Sequence, residues 1–151
     1  RQDDVVLDLF RGAGTSALEA IRLERRCIGV ELQPRMVEHV RQKTAHAPDR
    51  VQVIQGDSTA PETAEALRKA LSAWDHDAAD LLMLHPPYAD IIRFSDDPQC
   101  LSNAGDTDQF LERFHLAAET GVALLRPGRF AVPIIGDRYA GGELDPLGFR
   151  C

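Results

Sequence analysis

The sequence predicts an α/β domain in which a parallel sheet carries helices on both faces. Three features predict it. Short apolar runs alternate with amphipathic stretches at helical spacing, and each run stops at a Gly, Asp, Glu or Pro. The 151 residues match the usual ~100–200 residues of one domain. Hydrophobic residues at 44% and charged residues at 27% are ordinary globular usage, which excludes disordered and fibrous classes.

The elements follow in order. Val5-Val6-Leu7-Asp8-Leu9 is a nearly continuous apolar run, the pattern of a strand buried on both faces, and it breaks at Gly12-Ala13-Gly14. Thr15 is the expected cap of the next helix, with Ala17, Leu18 and Ile21 as its apolar stripe and Arg25-Arg26 in its last turn. Cys27 to Val30 reads as a second strand ending at Glu31. Pro34 opens a helix carrying Met36, Val37 and Val40. Val51 to Ile54 is a third strand ending at Gly56-Asp57. Pro61 opens a helix with Ala64, Leu67, Leu71 and Trp74 at helical spacing, and Leu81 to Leu84 is a fourth strand. His85 to Gly105 has no period, and loops of that length inside compact domains are usually functional. Asp106 or Thr107 caps a helix bearing Phe110, Phe114, Ala117 and Leu125. Pro127-Gly128 is read as a turn, Phe130 to Ile135 as a fifth strand, and Gly141-Gly142 as the start of a final loop.

Lys plus Arg number 17 against 24 Asp plus Glu, a net charge of −7, so no global positive field gathers phosphate backbones. Cys27, Cys100 and Cys151 are odd in number and lack a CxxC pair, which argues against a disulfide framework or a zinc site and for a reducing, cytoplasmic setting. No apolar run reaches the ~18 residues of a membrane span, and Arg1 to Asp4 does not begin a signal peptide. The expectation is a soluble protein with no membrane partner and no metal.

In open α/β sheets ligands bind beyond the carboxyl ends of the strands. Asp8, Gly12, Gly14, Glu31, Gly56-Asp57 and His85-Pro86-Pro87-Tyr88 each fall just after a strand. Gly12 and Gly14 allow backbone to approach a ligand, or merely make a tight connection. Glu31, roughly 20 residues downstream, has the chemistry to accept both hydroxyls of a ribose. Ala17 stands where a dinucleotide site prefers a third glycine, so an adenosine nucleoside without a pyrophosphate fits better. Asp57 is read either as an acceptor for an adenine amino group or as a turn residue. Pro86 and Pro87 fix an extended turn whose carbonyls point outward beside the Tyr88 ring, suited to hold an NH₂ group and stack on a planar base. Arg93 and Phe94 follow, read either as contacts to phosphate and base or as an amphipathic loop. Gly136-Asp137-Arg138 lies near the same rim as a further candidate.

These motifs resemble those of the AdoMet-dependent amino-methyltransferases that modify adenine N6 or cytosine N4 in DNA. Asp8-Leu9-Phe10-Arg11-Gly12-Ala13-Gly14-Thr15-Ser16 is similar to the family's cofactor motif, DPF-x-G-x-G-T-T, and His85-Pro86-Pro87-Tyr88 to its catalytic motif, [Asp/Asn/Ser]-Pro-Pro-[Tyr/Phe]. The resemblance implies a Rossmann-like methyltransferase fold with strand order 3-2-1-4-5 and two further strands, for which the chain is too short, so a fragment or a trimmed single catalytic domain is expected over 1–151. It implies AdoMet as cofactor, with Asp8 and Thr15 in the turn, Phe10, Gly12, Ala13 and Gly14 along the amino-acid moiety, Glu31 at the ribose and Asp57 at the adenine. His85, Pro86, Pro87 and Tyr88 become the catalytic set, with Tyr88, Arg93 and Phe94 on the substrate. It implies a site-specific DNA methyltransferase of restriction-modification type, which flips its target base out of the duplex.

The chain departs from the pattern at two positions. Leu9 replaces Pro, and His85 replaces Asp, Asn or Ser, so one acceptor becomes an imidazole that accepts only when neutral and in the right tautomer. Methylation of RNA, a catalytically silent AdoMet-binding subunit and an NAD-dependent dehydrogenase stand as alternatives. No segment for target recognition is legible, so a partner subunit or a missing domain is expected to supply it.

Overall fold

The computed structural model describes residues 1–87, 95–140 and 142–151. Five strands, β1 (Val5–Asp8), β2 (Arg26–Glu31), β3 (Val51–Gln55), β4 (Ala79–Leu84) and β5 (Leu125–Pro133), form a parallel sheet in the order β3-β2-β1-β4-β5. Helices α1 (Thr15–Arg22), α2 (Pro34–Thr44), α3 (Pro61–Ser72) and α4 (Thr107–Ala123) connect them in turn, as the predicted order requires. Right-handed crossovers place α1 and α2 on one face and α3 and α4 on the other.

Both faces are built from β-rich apolar runs. Val5, Leu7, Leu9, Ile28 and Val30 pack with Leu67 and Leu71 of α3 and with Phe110, Phe114 and Ala117 of α4. Val6 and Cys27 meet Ala17 and Ala20 of α1 on the opposite face. Phe110, Leu7, Ile28, Leu67 and Leu82 are fully buried, and each such side chain contributes about 1.5–3 kcal/mol by leaving water. This rigid sheet holds the strand ends, and hence the loops that follow them, in fixed relation.

The structure corrects several sequence expectations. Thr15 is the first residue of α1 rather than its cap, because Gly14, at φ 83°, makes the entry turn. Helix α1 ends at Arg22, so Arg25 lies beyond it and Arg26 begins β2, where its guanidinium stands 5.4 Å from the Trp74 ring centroid. Of the two caps the sequence offers for α4, Asp106 is the one used, accepting the Gln109 N–H at 2.8 Å. Leu125 belongs to β5 instead of α4. Pro127-Gly128 does not separate helix from strand but lies inside β5, where the register jumps from Ala79↔Leu125 to Leu81↔Phe130. In place of a final loop from Gly141-Gly142, β7 (Glu143–Asp145) pairs with β6 (Arg138–Ala140) apart from the main sheet, and a short helix α5 (Leu147–Arg150) follows. Among the described residues no helix is long and apolar enough to cross a membrane.

Candidate functional site

The glycine turn after β1 is shaped by its own side chains. Asp8 is buried at the strand end, where its Oδ1 accepts the Phe10 N–H at 3.1 Å and its Oδ2 accepts the Ser16 hydroxyl. Asp8 therefore ties the beginning of the turn to the first turn of α1. Leu9 donates its N–H to Met83 of β4 at 3.3 Å, a bond that the proline common at this position would lack. Arg11 donates its backbone N–H to Val30 at 3.0 Å, and Gly14 donates back to Arg11 at 3.1 Å. A Cβ on Gly14 would meet Val40 of α2 at 2.9 Å, whereas one on Gly12, at φ 52°, would meet nothing within 4 Å. Gly14 thus serves packing of the turn against α2, and Gly12 faces open space. Phe10 turns its ring onto Phe114, with centroids 6.4 Å apart.

Glu31 joins this turn to the end of β2. Its Oε2 accepts the Gly12 N–H at 2.9 Å and its Oε1 accepts the Gln33 N–H at 2.8 Å. Burial pushes its carboxyl above the usual glutamate range, against the lowering effect of those backbone donors. Each carboxylate oxygen retains lone-pair capacity, so the same group can accept further hydroxyl donors.

Asp57 follows β3. Its Oδ1 accepts both the backbone N–H and the hydroxyl of Thr59 at 2.9 Å, which makes it a turn residue, and its Oδ2 stands 3.8 Å from Arg113 of α4. Ser58 donates its hydroxyl to the Leu9 carbonyl, stitching this loop to the glycine turn. After β4, His85 is exposed, Pro86 buried and Pro87 half-buried. Ile134 anchors the base of this corner by donating to the Leu84 carbonyl at 2.8 Å.

These strand ends surround one cleft of ≈ 870 Å³, within the usual ~300–1,000 Å³ of small-molecule sites. Asp8, Phe10, Gly12, Ala13, Thr15, Glu31, Asp57, His85, Pro86 and Pro87 all border it. Tyr88, Arg93 and Phe94 lie outside the described residues. Asp137 and Arg138 turn to the C-terminal hairpin: Asp137 accepts the Gly148 N–H at 3.4 Å and Arg138 donates to Thr107 at 3.2 Å. Among the described residues no group of three or more His, Cys, Asp or Glu is arranged to hold a metal ion. Cys27 is buried and its thiol is pushed up to about 11, chiefly by burial, so it is protonated and inert at neutral pH.

Sequence reasoning missed three contributors. Ser58 follows a strand, a position that marks loop-stitching hydroxyls. The segment from Gln99 to Leu101 forms part of the cleft wall, and Arg113 holds it. Nothing local distinguishes Arg113 from a solvated helix arginine, because its partners come from distant segments.

Residues 1–42 match a family model described as DNA methylase. No curated protein matches the chain by sequence. Solved structures share the fold. A protein described as an rRNA-methylase, from Clostridium thermocellum, aligns with TM-score 0.58 and 16% identity over 95% of this chain and 64% of that one. TrmN from Thermus thermophilus aligns with TM-score 0.60 and 17% identity over 95% of this chain and 42% of that one. A short-chain dehydrogenase/reductase from Brucella melitensis aligns with TM-score 0.61 and 14% identity over 87% and 56%. The chain thus spans less than two thirds of the length of these structures. At these identities the likeness establishes the Rossmann-like fold, which methyltransferases share with a dehydrogenase. The segment matched by the family model covers the glycine turn, Glu31 and most of α2.

Proposed function

We propose that this domain binds AdoMet in the cleft and methylates an exocyclic amino group of a nucleic-acid base, adenine N6 or cytosine N4 in DNA. One observation carries the reading. A buried carboxylate, Glu31, is tied by backbone N–H groups to an open-faced Gly12, and it shares one cleft with the His85-Pro86-Pro87 corner. A dehydrogenase accounts for the first half of that arrangement and gives no role to the second.

The residues fit the cofactor's chemistry. Glu31 offers two oxygens to vicinal ribose hydroxyls, and Gly12 leaves space for backbone to approach the ligand. Asp57 would hold the adenine amine through Oδ2, the oxygen that Thr59 leaves open. When bound, AdoMet supplies an electrophilic methyl group carried on a sulfonium. The Pro86 carbonyl and an imidazole nitrogen of His85 each accept a hydrogen bond from one N–H of the base amine. Those hydrogen bonds draw the nitrogen lone pair out of conjugation with the ring and orient it, so binding and alignment lower the barrier without a covalent enzyme intermediate. Tyr88 is assigned to stack on the flipped base, and Arg93 and Phe94 to meet the strand around it. Target recognition falls to a partner or to a further domain, because the net charge of −7 gives no broad basic surface.

RNA is the second reading, favoured by the rRNA-methylase likeness. Transfer of labelled methyl groups from AdoMet to duplex DNA and to structured RNA in parallel separates the two. Label on DNA adenine N6 or cytosine N4 is the expected result. Label on RNA alone favours the second reading. Label on neither, from a domain that binds AdoMet, favours a silent subunit, for which His85→Asp would raise transfer.

A further inference from the structure

We propose that Arg113 is a positioning residue that couples occupancy of the adenosine end of the cleft to the wall formed by residues 97–101. This rests on the reading of the cleft as a nucleoside site, and it assigns a regulator to that site.

The wall is held by side chains rather than by a sheet or a long helix. Arg113 donates to three successive carbonyls: from Nη1 to Pro98 at 3.3 Å and to Cys100 at 3.4 Å, and from Nη2 to Gln99. Asn103, in a 3-10 helix (Leu101–Asn103), gathers two more, donating to Ser95 at 2.9 Å and to Asp97 at 2.7 Å. Gln99, Cys100 and Leu101 in turn border the cleft. Arg113 projects from α4 in the same turn as Phe110 and Phe114, whose buried rings anchor that helix to the core.

The same guanidinium also approaches the loop after β3. Its Nη2 stands 3.8 Å from Asp57 Oδ2, the oxygen that Thr59 leaves open, since both Thr59 bonds go to Oδ1. On the proposed cofactor reading, Asp57 Oδ2 is the oxygen left to accept from an adenine amine. A donor arriving there shares the carboxylate oxygen with Arg113, and any adjustment of Arg113 is transmitted to three carbonyls of the wall. The segment so clamped directly follows the Pro-Pro corner and residues 88–94 in the chain. One arginine therefore joins the cofactor end of the cleft to the segment leading away from the catalytic corner.

Calorimetric titration with AdoMet, together with amide hydrogen exchange over 97–101, tests this on the wild-type protein, Arg113→Gln, Arg113→Lys, Asp57→Asn and the Gln/Asn double variant. Arg113→Gln is expected to weaken AdoMet binding about 5-fold or more and to abolish the protection that AdoMet confers on 97–101. The double variant is expected to lose less than the two single losses combined, the mark of a shared interaction. Arg113→Lys keeps the charge beside Asp57 but cannot span three carbonyls, so it retains more affinity while exchange over 97–101 rises. It carries the same test if Arg113→Gln fails to fold. Wild-type affinity and protection in Arg113→Gln, or losses that simply add, would overturn the coupling while leaving the cofactor reading intact. A wild-type protein that does not bind AdoMet overturns the cofactor reading first.

Discussion

Gly12 and Gly14 stand two residues apart and respond differently to an added methyl group. Both adopt positive φ, where a non-glycine residue costs roughly 1–2 kcal/mol. A Cβ at Gly14 also strikes Val40, so Gly14→Ala should lose stability beyond that strain, read as a lower melting temperature. At Gly12 the Cβ meets no protein atom and borders the cleft, so on the proposed cofactor reading Gly12→Ala should keep most of the stability and lose AdoMet affinity. Comparable affinity loss in both variants at equal stability would contradict the assignment. Glu31 adds a pH dependence. Its folded carboxyl titrates above the ordinary 4.5, so the folded state binds more protons than the unfolded chain between that value and the raised one. Its contribution to stability is present below pH 4.5 and is lost as pH rises through the folded value. AdoMet affinity should move the other way, rising across the same window as the carboxylate forms. Calorimetric titrations at several pH values, compared with Glu31→Gln, read that opposition.

Strand β5 shows how an element can contradict its own local signals. Pro127-Gly128 is strong turn chemistry, yet the chain absorbs it as a bulge inside the strand. Asp80, buried on β4, makes this arrangement work. It lies 3.2 Å from both Arg126 and Arg129, which flank the Pro-Gly pair, and it accepts the Val5 N–H at 3.0 Å. Those partners are far apart in sequence, which is why no local pattern predicts the bulge. Asp80→Asn keeps an acceptor for Val5 and removes the charge. Since both arginines are partly exposed and screened, the expected loss is about 1–2 kcal/mol, seen as a lower denaturation midpoint with an unchanged slope. The strands with mostly buried apolar runs, β1, β2 and β4, were legible because burial on both faces leaves a signature in each short window. Arg113 was illegible for the opposite reason: its meaning comes from Pro98, Gln99, Cys100 and Asp57, which only the packing of α4 brings together.

At the scale of the molecule, the site is a property of sheet order. Reversal between β1 and β4 opens the crevice, and Asp8, Glu31, Asp57 and the His85-Pro86-Pro87 corner reach it from four separate strands. That convergence was readable because each residue terminates a strand that could be recognised on its own. The chain carries a net charge of −7 and spans 64% of the rRNA-methylase structure it resembles. Since a dehydrogenase shares the fold, cofactor identity is the central claim. Side-by-side thermal shifts and titrations with AdoMet, its demethylated product and NAD test it most directly. The expected result is concentration-dependent stabilisation by AdoMet and its product, about 2.7 kcal/mol at a hundredfold excess over Kd, with no response to NAD. Equal stabilisation by NAD, or none by AdoMet, would contradict it.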